Sequence, residues 1–575
     1  MQLKRALWGI NIVWLVLIGC VQTIASPPAA IVIVPTGKPL RETAVSATPT
    51  ILAVDNYTAS PSSTSVATPT PVMPPTATDA ASQLPTFTSI QNEAIVNSAL
   101  ALGVPFAQMD RKNTGIRQYD NHLFFHPIGL DIAPSSIFML DAGRVLKFDL
   151  DTPGLPQTLL SPGDYVGNVR VLEPLDLAAM TDGLLVLDRA GDVYLYDWQT
   201  QAWQIDRYDR PVGESSGHYY VAVAGEGNGR YLLETNYHYV RLYGEAVRNR
   251  LWPLIESRAV DVAVNGEDVF VLTQEMRGQN GILAKYRDTA YVTAFRPTVD
   301  IVQPRQVVVG ETAVFVLDMA GQRLLALDRI TGQLLQVYQT PPGTTAFDID
   351  EMADRWLFTA PDRLYFFDEP QTQIQIPGGD PLPAALFTES MWQEVLSGLI
   401  LPIQATDLTR RDFQMPGAPR HYRLGVHQGL DFYWRPGTAV YAVADGVVVR
   451  AMHDYEPLTS EQLDQLRVET KTLGFTSSTA IDLYRGRQVW IQHPDGIVSR
   501  YIHLSSIVPE IIEGASVVQG QQIGAVGNSG SPASLQSKSV DSHLHFELWW
   551  QDTYLGQFFR PVETRQLIET IFQTP

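Results

Sequence analysis

The sequence predicts an all-β chain, with a six-bladed β-propeller followed by a small antiparallel-sheet domain, both behind a disordered N-terminal tether. Three observations carry this. A loose repeat runs from about 129 to 370 with a period of 40–45 residues. Residues 21–90 hold 11 Pro, 13 Thr and 8 Ser, 32 of 70 positions. Seven of the 11 histidines fall between 421 and 545, several on segments of strictly alternating polarity.

Composition sets the frame for each element. The chain has 575 residues, 45% hydrophobic and 18% charged, enough apolar content to bury several cores. Its net charge of −20 excludes nucleic-acid binding through the bulk field, leaving only a local basic patch open to that role. A single cysteine excludes an intramolecular disulfide and any multi-cysteine metal site. A bound metal must therefore sit on His, Asp or Glu.

At residues 1–20, Lys4 and Arg5 precede the apolar run Ala6 to Gly19, broken only by Asn11. That is the pattern of a secretory signal, shorter than the ~20 residues of a membrane span. Its end, Leu17-Ile18-Gly19-Cys20, resembles the lipobox of bacterial lipoproteins. The resemblance implies lipidation of Cys20 and an extracytoplasmic protein anchored to the membrane; an ordinary signal or an uncleaved anchor is the other reading. The 21–90 segment carries only five charges, and its proline density opposes both helix and central strand. As an extended spacer at ~3.1 Å per residue it reaches at most about 200 Å.

Across 91–375 the repeat aligns on Asp131, Asp176, Val221, Asp261, Gln306 and Asp348, with spacings of 45, 45, 40, 45 and 42. Each unit continues into further short strands with Gly or Asp turns, as in Leu184 to Asp197, which marks a propeller blade. Six units predict six blades, with residues 91–128 supplying a helix and a closing strand. A pair of β-sandwiches is the alternative. The repeated Asp residues read as turn and strand-end caps rather than metal ligands. The expected role is binding or spacing, with a ligand, protein or other, that the fold does not name.

The chemistry lies in 390–575. His427 and Asp431 share a face if their segment is extended. In His543-Leu-His-Phe-Glu547 the two histidines and the glutamate share one face, and the apolar residues the other. Two nitrogens and one carboxylate oxygen, with a fourth position open, make a catalytic zinc set. His503, in Tyr501-Ile-His503-Leu, is then placed beside His543 as base and electrostatic stabiliser.

Five blocks in order, His427-x-x-x-Asp431, Gly437 to Gly446, Tyr501-x-His503-Leu504, Gly520 to Gly527 and His543-Leu-His545-Phe-Glu547, are similar to the M23 (LytM/lysostaphin-type) zinc peptidases over about 395–575. The resemblance implies a small antiparallel sheet with a groove over Zn2+. It implies the metal ligands His427, Asp431 and His545, and the catalytic pair His503 and His543. It also implies a substrate among the peptides of bacterial cell-wall peptidoglycan. A scaffold that activates other wall hydrolases, a propeller-based receptor with a vestigial peptidase, and a peptidase acting on another protein remain as alternatives. The chain departs from the family by a long 454–487 segment, where Thr459 or Ser460 caps a short helix that would roof the groove. A second departure is Ser529 in place of a turn threonine. Tyr422 is a candidate near the oxyanion, His493 reads as structural, and His421 and His453 read as surface residues.

Overall fold

The structure is a computed structural model. It describes residues 126–367 and 389–572 apart from short interruptions, together with 104–105, 116–120 and 124. The signal, Cys20 and the 21–90 spacer lie outside the described residues.

Five four-stranded antiparallel sheets and one five-stranded sheet form the blades; in the latter Val104–Pro105 adds parallel to Leu334–Gln339 at the outer edge. Their innermost strands are Pro127–Ala133, Pro174–Ala179, Tyr220–Glu226, Ser257–Asn265, Pro304–Val309 and Ala346–Asp350, each packed against the next and the last against the first. The ring is a six-bladed propeller. Its sixth blade is completed by Ile116–Asp120, which pairs with Arg363–Phe367. Segments from before the first blade and from the last blade thus share one sheet, which ties the ring closed, with Ile116–Asp120 as its outer strand. Second strands such as Gly183–Asp188 and Ala313–Asp318 are buried throughout, because neighbouring blades cover both of their faces.

The aligned Asp positions are not turn caps, contrary to the sequence reading. They lie in the innermost strands and bond to the next blade. Asp131 accepts from Ala179 N at 2.7 Å, Asp176 from Val223 N at 2.8 Å, Asp261 from Val307 N at 2.8 Å and Asp348 from Ile132 N at 2.6 Å. Gln306 exchanges two bonds with Phe347, at 2.9 and 3.0 Å. The aspartates, and Gln306 through its Oε1, each accept from a backbone N–H of the neighbouring blade, and Gln306 also donates to Phe347 O. Sequence spacing located the positions but could not reveal a partner some 45 residues away. Burial raises Asp176 to about 7 and Asp348 to about 6.

The C-terminal domain has a sheet in the order Leu430–Tyr433, His543–Trp550, Ile497–Ile502, Val489–Gln492, Gly446–Ala451 and Ser516–Val517. A three-stranded sheet, Ala439–Tyr441, Gln522–Ala525 and Ser506–Ile507, lies beside it. Leu544, Phe546 and Leu548 join Leu430, Phe432, Ile491, Tyr501 and Ile568 in the core. The alternation read from sequence is therefore realised, with the polar face left for the site. The segment between strands folds into two helices, Ser460–Leu473 and Ser478–Arg485. The first is opened by a capping box of Thr459 and Gln462.

This domain is docked on the propeller. Just before the C-terminal helix Pro561–Ile571, Arg560 donates to Ile128 O at 2.8 Å and lies 3.8 and 3.7 Å from Asp176 and Asp261. It also reaches Arg305 O. One side chain touching the inner strands of blades 1, 2, 4 and 5 must lie on the ring axis. Tyr554 Oη donates to Glu173 at 2.6 Å, and Arg189 donates to Phe559 O. His421 is buried here with Nε2 2.9 Å from His218 O, not on the surface as its sequence context indicated. His453 is exposed.

Candidate metal centre

The site begins with strand alternation. Leu430–Tyr433 pairs antiparallel with His543–Trp550, and Asp431 stands opposite His545. His427 precedes the strand by one turn of chain and is held by Gly417 N donating to His427 O and His427 N donating to Ala418 O, both at 2.8 Å. The result brings three donor atoms together. His427 Nε2 lies 2.9 Å from Asp431 Oδ1 and 2.9 Å from His545 Nδ1, and His545 Nδ1 lies 2.8 Å from Asp431 Oδ1. All three residues are buried.

Each donor is oriented from behind. His427 Nδ1 donates to Met415 O at 2.8 Å; a carbonyl only accepts, so neutral His427 presents a lone pair at Nε2. His545 Nε2 lies 3.0 Å from Glu547 Oε1, a carboxylate, which leaves the lone pair at Nδ1. Arg420 donates to Asp431 Oδ2 at 2.8 Å and leaves Oδ1 for the common point. Three lone pairs thus converge in a buried space. That arrangement is repulsive for the protein alone and suits a cation taking N, N and O ligands.

Protonation follows the surroundings of each group: burial disfavours charge on His545, but its contacts with Asp431 and Glu547 raise it above the ordinary histidine value. Burial, with Arg420 nearby, lowers His427 to about 3. Burial opposes ionisation of Asp431, but His427 and His543 beside it hold its carboxyl well below the usual range. Glu547 is likewise buried, and Arg485, His545 and Arg500 overcome the burial cost. Arg500 itself is sandwiched 4.0 Å from the Trp490 ring and 4.2 Å from the Trp549 ring. Glu547 is therefore a support for His545 and not a member of the converging set, although it shares the histidines' face of the strand.

His503 and His543 flank the three donors. Their ring centroids are 4.8 Å apart, and His543 Nε2 is 3.8 Å from Asp431 Oδ1. His503 Nδ1 donates to Ser529 O and His543 Nδ1 to Asp541 O, both at 2.7 Å, so each ring turns its Nε2 away from these anchors. Burial and the neighbouring histidines push His503 well below its ordinary value. His503 itself and Asp541, the anchor of His543, carry left-handed backbone, at φ 64° and φ 54°. For residues other than glycine that costs about 1–2 kcal/mol each, a strain typical of functional positions. Ser529 also accepts from Arg487 N at 2.9 Å through its hydroxyl, so the serine holds the turn.

The donors open into a cleft of about 1040 Å³. Tyr422, Leu463, Arg467, Tyr484 and Leu535 line it, so the inserted helices form one wall rather than a closed roof. Tyr422 meets Tyr484 edge-on at 6.0 Å. Tyr433, not singled out by the sequence reading, stacks on His543 at 4.8 Å and 20°. Arg420, Met415 and Arg485 were also illegible in sequence, since nothing about a lone Arg or a main-chain carbonyl announces which side chain it will meet. His493 is structural, bonded to Asp445 O and Ser499 Oγ at 2.8 Å each.

The profile of Peptidase family M23 matches residues 425–556. Three curated relatives are each similar to about a fifth of this chain. The peptidoglycan DD-endopeptidase ShyA of Vibrio cholerae is 32% identical over 126 residues, 22% of this chain and 21% of that one. An uncharacterized metalloprotease of Buchnera aphidicola is 27% identical over 123 residues, 21% and 23% of the two chains. The peptidoglycan DD-endopeptidase ShyC of Vibrio cholerae is 24% identical over 125 residues, 22% and 20%. The chain thus spans about a fifth of the length of these relatives.

Proposed function

We propose that the peptidase family M23 domain at 425–556 works as a zinc endopeptidase on the peptides of bacterial peptidoglycan. The observation that carries this reading is the convergence of His427 Nε2, Asp431 Oδ1 and His545 Nδ1 within 2.9 Å of one another, each fixed from behind by Met415 O, Arg420 or Glu547. The names of the two Vibrio relatives supply the substrate class.

Zinc held by these three atoms would polarise a peptide carbonyl and lower the pKa of a water to roughly 7. The chain's own residues do the rest. His503 and His543, each with Nδ1 tied to a carbonyl, present Nε2 as the proton-accepting atom toward the cleft. One takes the proton of the attacking water and returns it to the leaving amine. The other, once charged, offsets the oxyanion. Tyr433 stacked on His543 holds that ring in plane. Arg467 and Tyr484 on the inserted helices border the path along which a peptide would lie.

In this reading the propeller carries the enzyme as a fixed part of its body. Lipidated Cys20 and the 21–90 spacer hold both outside the cytoplasm, at the membrane. Peptidoglycan peptides and the membrane are the partners, and any propeller ligand is additional.

The test uses the full chain, wild type beside His427→Ala and His503→Ala. Zinc content and release of new amino groups from purified peptidoglycan are measured. The reading expects about one zinc per chain, with both zinc and cleavage lost in His427→Ala and cleavage alone lost in His503→Ala. Wild-type protein that holds zinc but releases no amino groups would leave a scaffold in place of an enzyme.

A further inference from the structure

Two of the three converging donors are oriented by main-chain carbonyls of one short segment. Met415 O accepts from His427 Nδ1, and Phe413 O accepts from Arg420 Nη1 at 2.8 Å while the same guanidinium donates to Asp431 Oδ2. The segment is a three-residue 3-10 turn, Asp412–Gln414, with no side-chain cap of its own. A turn this short does not hold its shape unaided.

What holds it is the propeller. The buried Asp412 carboxylate accepts from Thr235 Oγ1 at 2.8 Å and from Arg258 Nε at 3.2 Å. Thr235 belongs to blade 3 and Arg258 to the inner strand of blade 4. Arg565 of the C-terminal helix completes the clamp at 2.9 Å and donates to Thr409 O at 2.9 Å. The Phe413 ring packs edge-on against Tyr219 at 5.4 Å. Ala418, whose carbonyl receives His427 N, is buried in one apolar cluster with Tyr219, Val221, Ala259 and Val262 of those two blades.

We propose that blades 3 and 4 set the metal affinity of the C-terminal site, by clamping Asp412 and so fixing the carbonyls that aim His427 and Arg420. Thr235, Arg258 and Asp412 are positioning residues: none touches a donor atom, and each acts through the 412–415 turn. The propeller is then part of the enzyme's working site as well as its mount. The inference rests on the metal reading given above. Its physical basis is that losing the partners that orient metal ligands weakens binding by about 10–100-fold.

The test measures zinc affinity of the full chain by chelator competition, and hydrogen exchange across residues 411–427. Arg258→Ala and Thr235→Val are compared with Glu173→Gln, which alters the same docking interface at blade 2 without touching the turn. The first two are expected to weaken zinc by about tenfold or more and to speed exchange at Gly417 and His427. Arg258→Lys should recover part of the loss, and Glu173→Gln should match wild type in both readouts. Thr235→Val removes one hydroxyl only, so the test stands if Arg258→Ala fails to fold. Wild-type affinity in both Arg258→Ala and Thr235→Val overturns the proposal, as does an equal loss in Glu173→Gln. A wild-type chain that binds no zinc overturns the metal reading itself, and this inference with it.

Discussion

Arg485 meets Glu547 through three hydrogen bonds of 2.9–3.1 Å, and Glu547 in turn accepts from His545 Nε2. Arg485 ends the second inserted helix. The insertion therefore reaches the three converging donors from behind as well as walling the cleft in front.

Replacing Glu547 by Gln removes the charge that holds the ring proton of His545 at Nε2 and leaves Arg485 and Arg500 without their shared carboxylate. Zinc affinity should fall about 10–100-fold, read by chelator competition. An unchanged affinity would mean that Glu547 serves only the fold.

Tyr433 covers one face of His543 without touching any of the three converging donors through its ring stack. Tyr433→Ala should lower kcat by about tenfold or more with zinc content intact, whereas Tyr433→Phe keeps the stack and should retain most of kcat. A loss confined to KM in Tyr433→Ala would assign the residue to substrate contact instead.

Glu173 is buried at the docking interface, and burial raises it from 4.5 to about 7 despite Arg189 and Tyr554. The folded state keeps a proton that the unfolded chain gives up above pH 4.5. The stability this contributes is fully present below pH 4.5 and is lost as pH rises through about 7. Glu173→Gln should therefore shrink the fall in Tm between pH 5 and 8. An undiminished fall would place the titration elsewhere.

Arg560 sits on the ring axis beside Asp176 and Asp261. Arg560→Ala leaves buried carboxylates without their cation, a loss of about 3–5 kcal/mol when they are ionised. Because Asp176 is raised to about 7, the loss should be larger at pH 8 than at pH 5. Denaturant unfolding at the two pH values checks this, and an equal loss at both would show that Arg560 acts by packing alone.

Much of the site was readable because its signals are local. Alternation along His543–Trp550 sends His543, His545 and Glu547 to one face and Leu544, Phe546 and Leu548 to the other, whatever the rest of the chain does. The capping box at Thr459 is equally local. Glu547 shows where that stops. Alternation put it on the ligand face, but Arg485, 62 residues earlier in the chain, draws its carboxylate to the back of His545. The interblade bonds of Asp131, Asp176, Asp261 and Asp348 failed to read for the same reason, since their partners are one blade away along the chain, or five blades away for Asp348 and Ile132.

By itself, the sequence determined the period of the blades, the polar and apolar faces of each strand, and the set of residues able to ligate a metal. Those properties follow from side-chain chemistry and a strand's two-residue repeat. Only the tertiary structure decided which lone pairs converge, which carboxylate supports rather than joins the donor set, and that the propeller's Thr235 and Arg258 hold the turn behind His427. Those depend on distances between residues far apart in sequence, which short-range pattern does not encode.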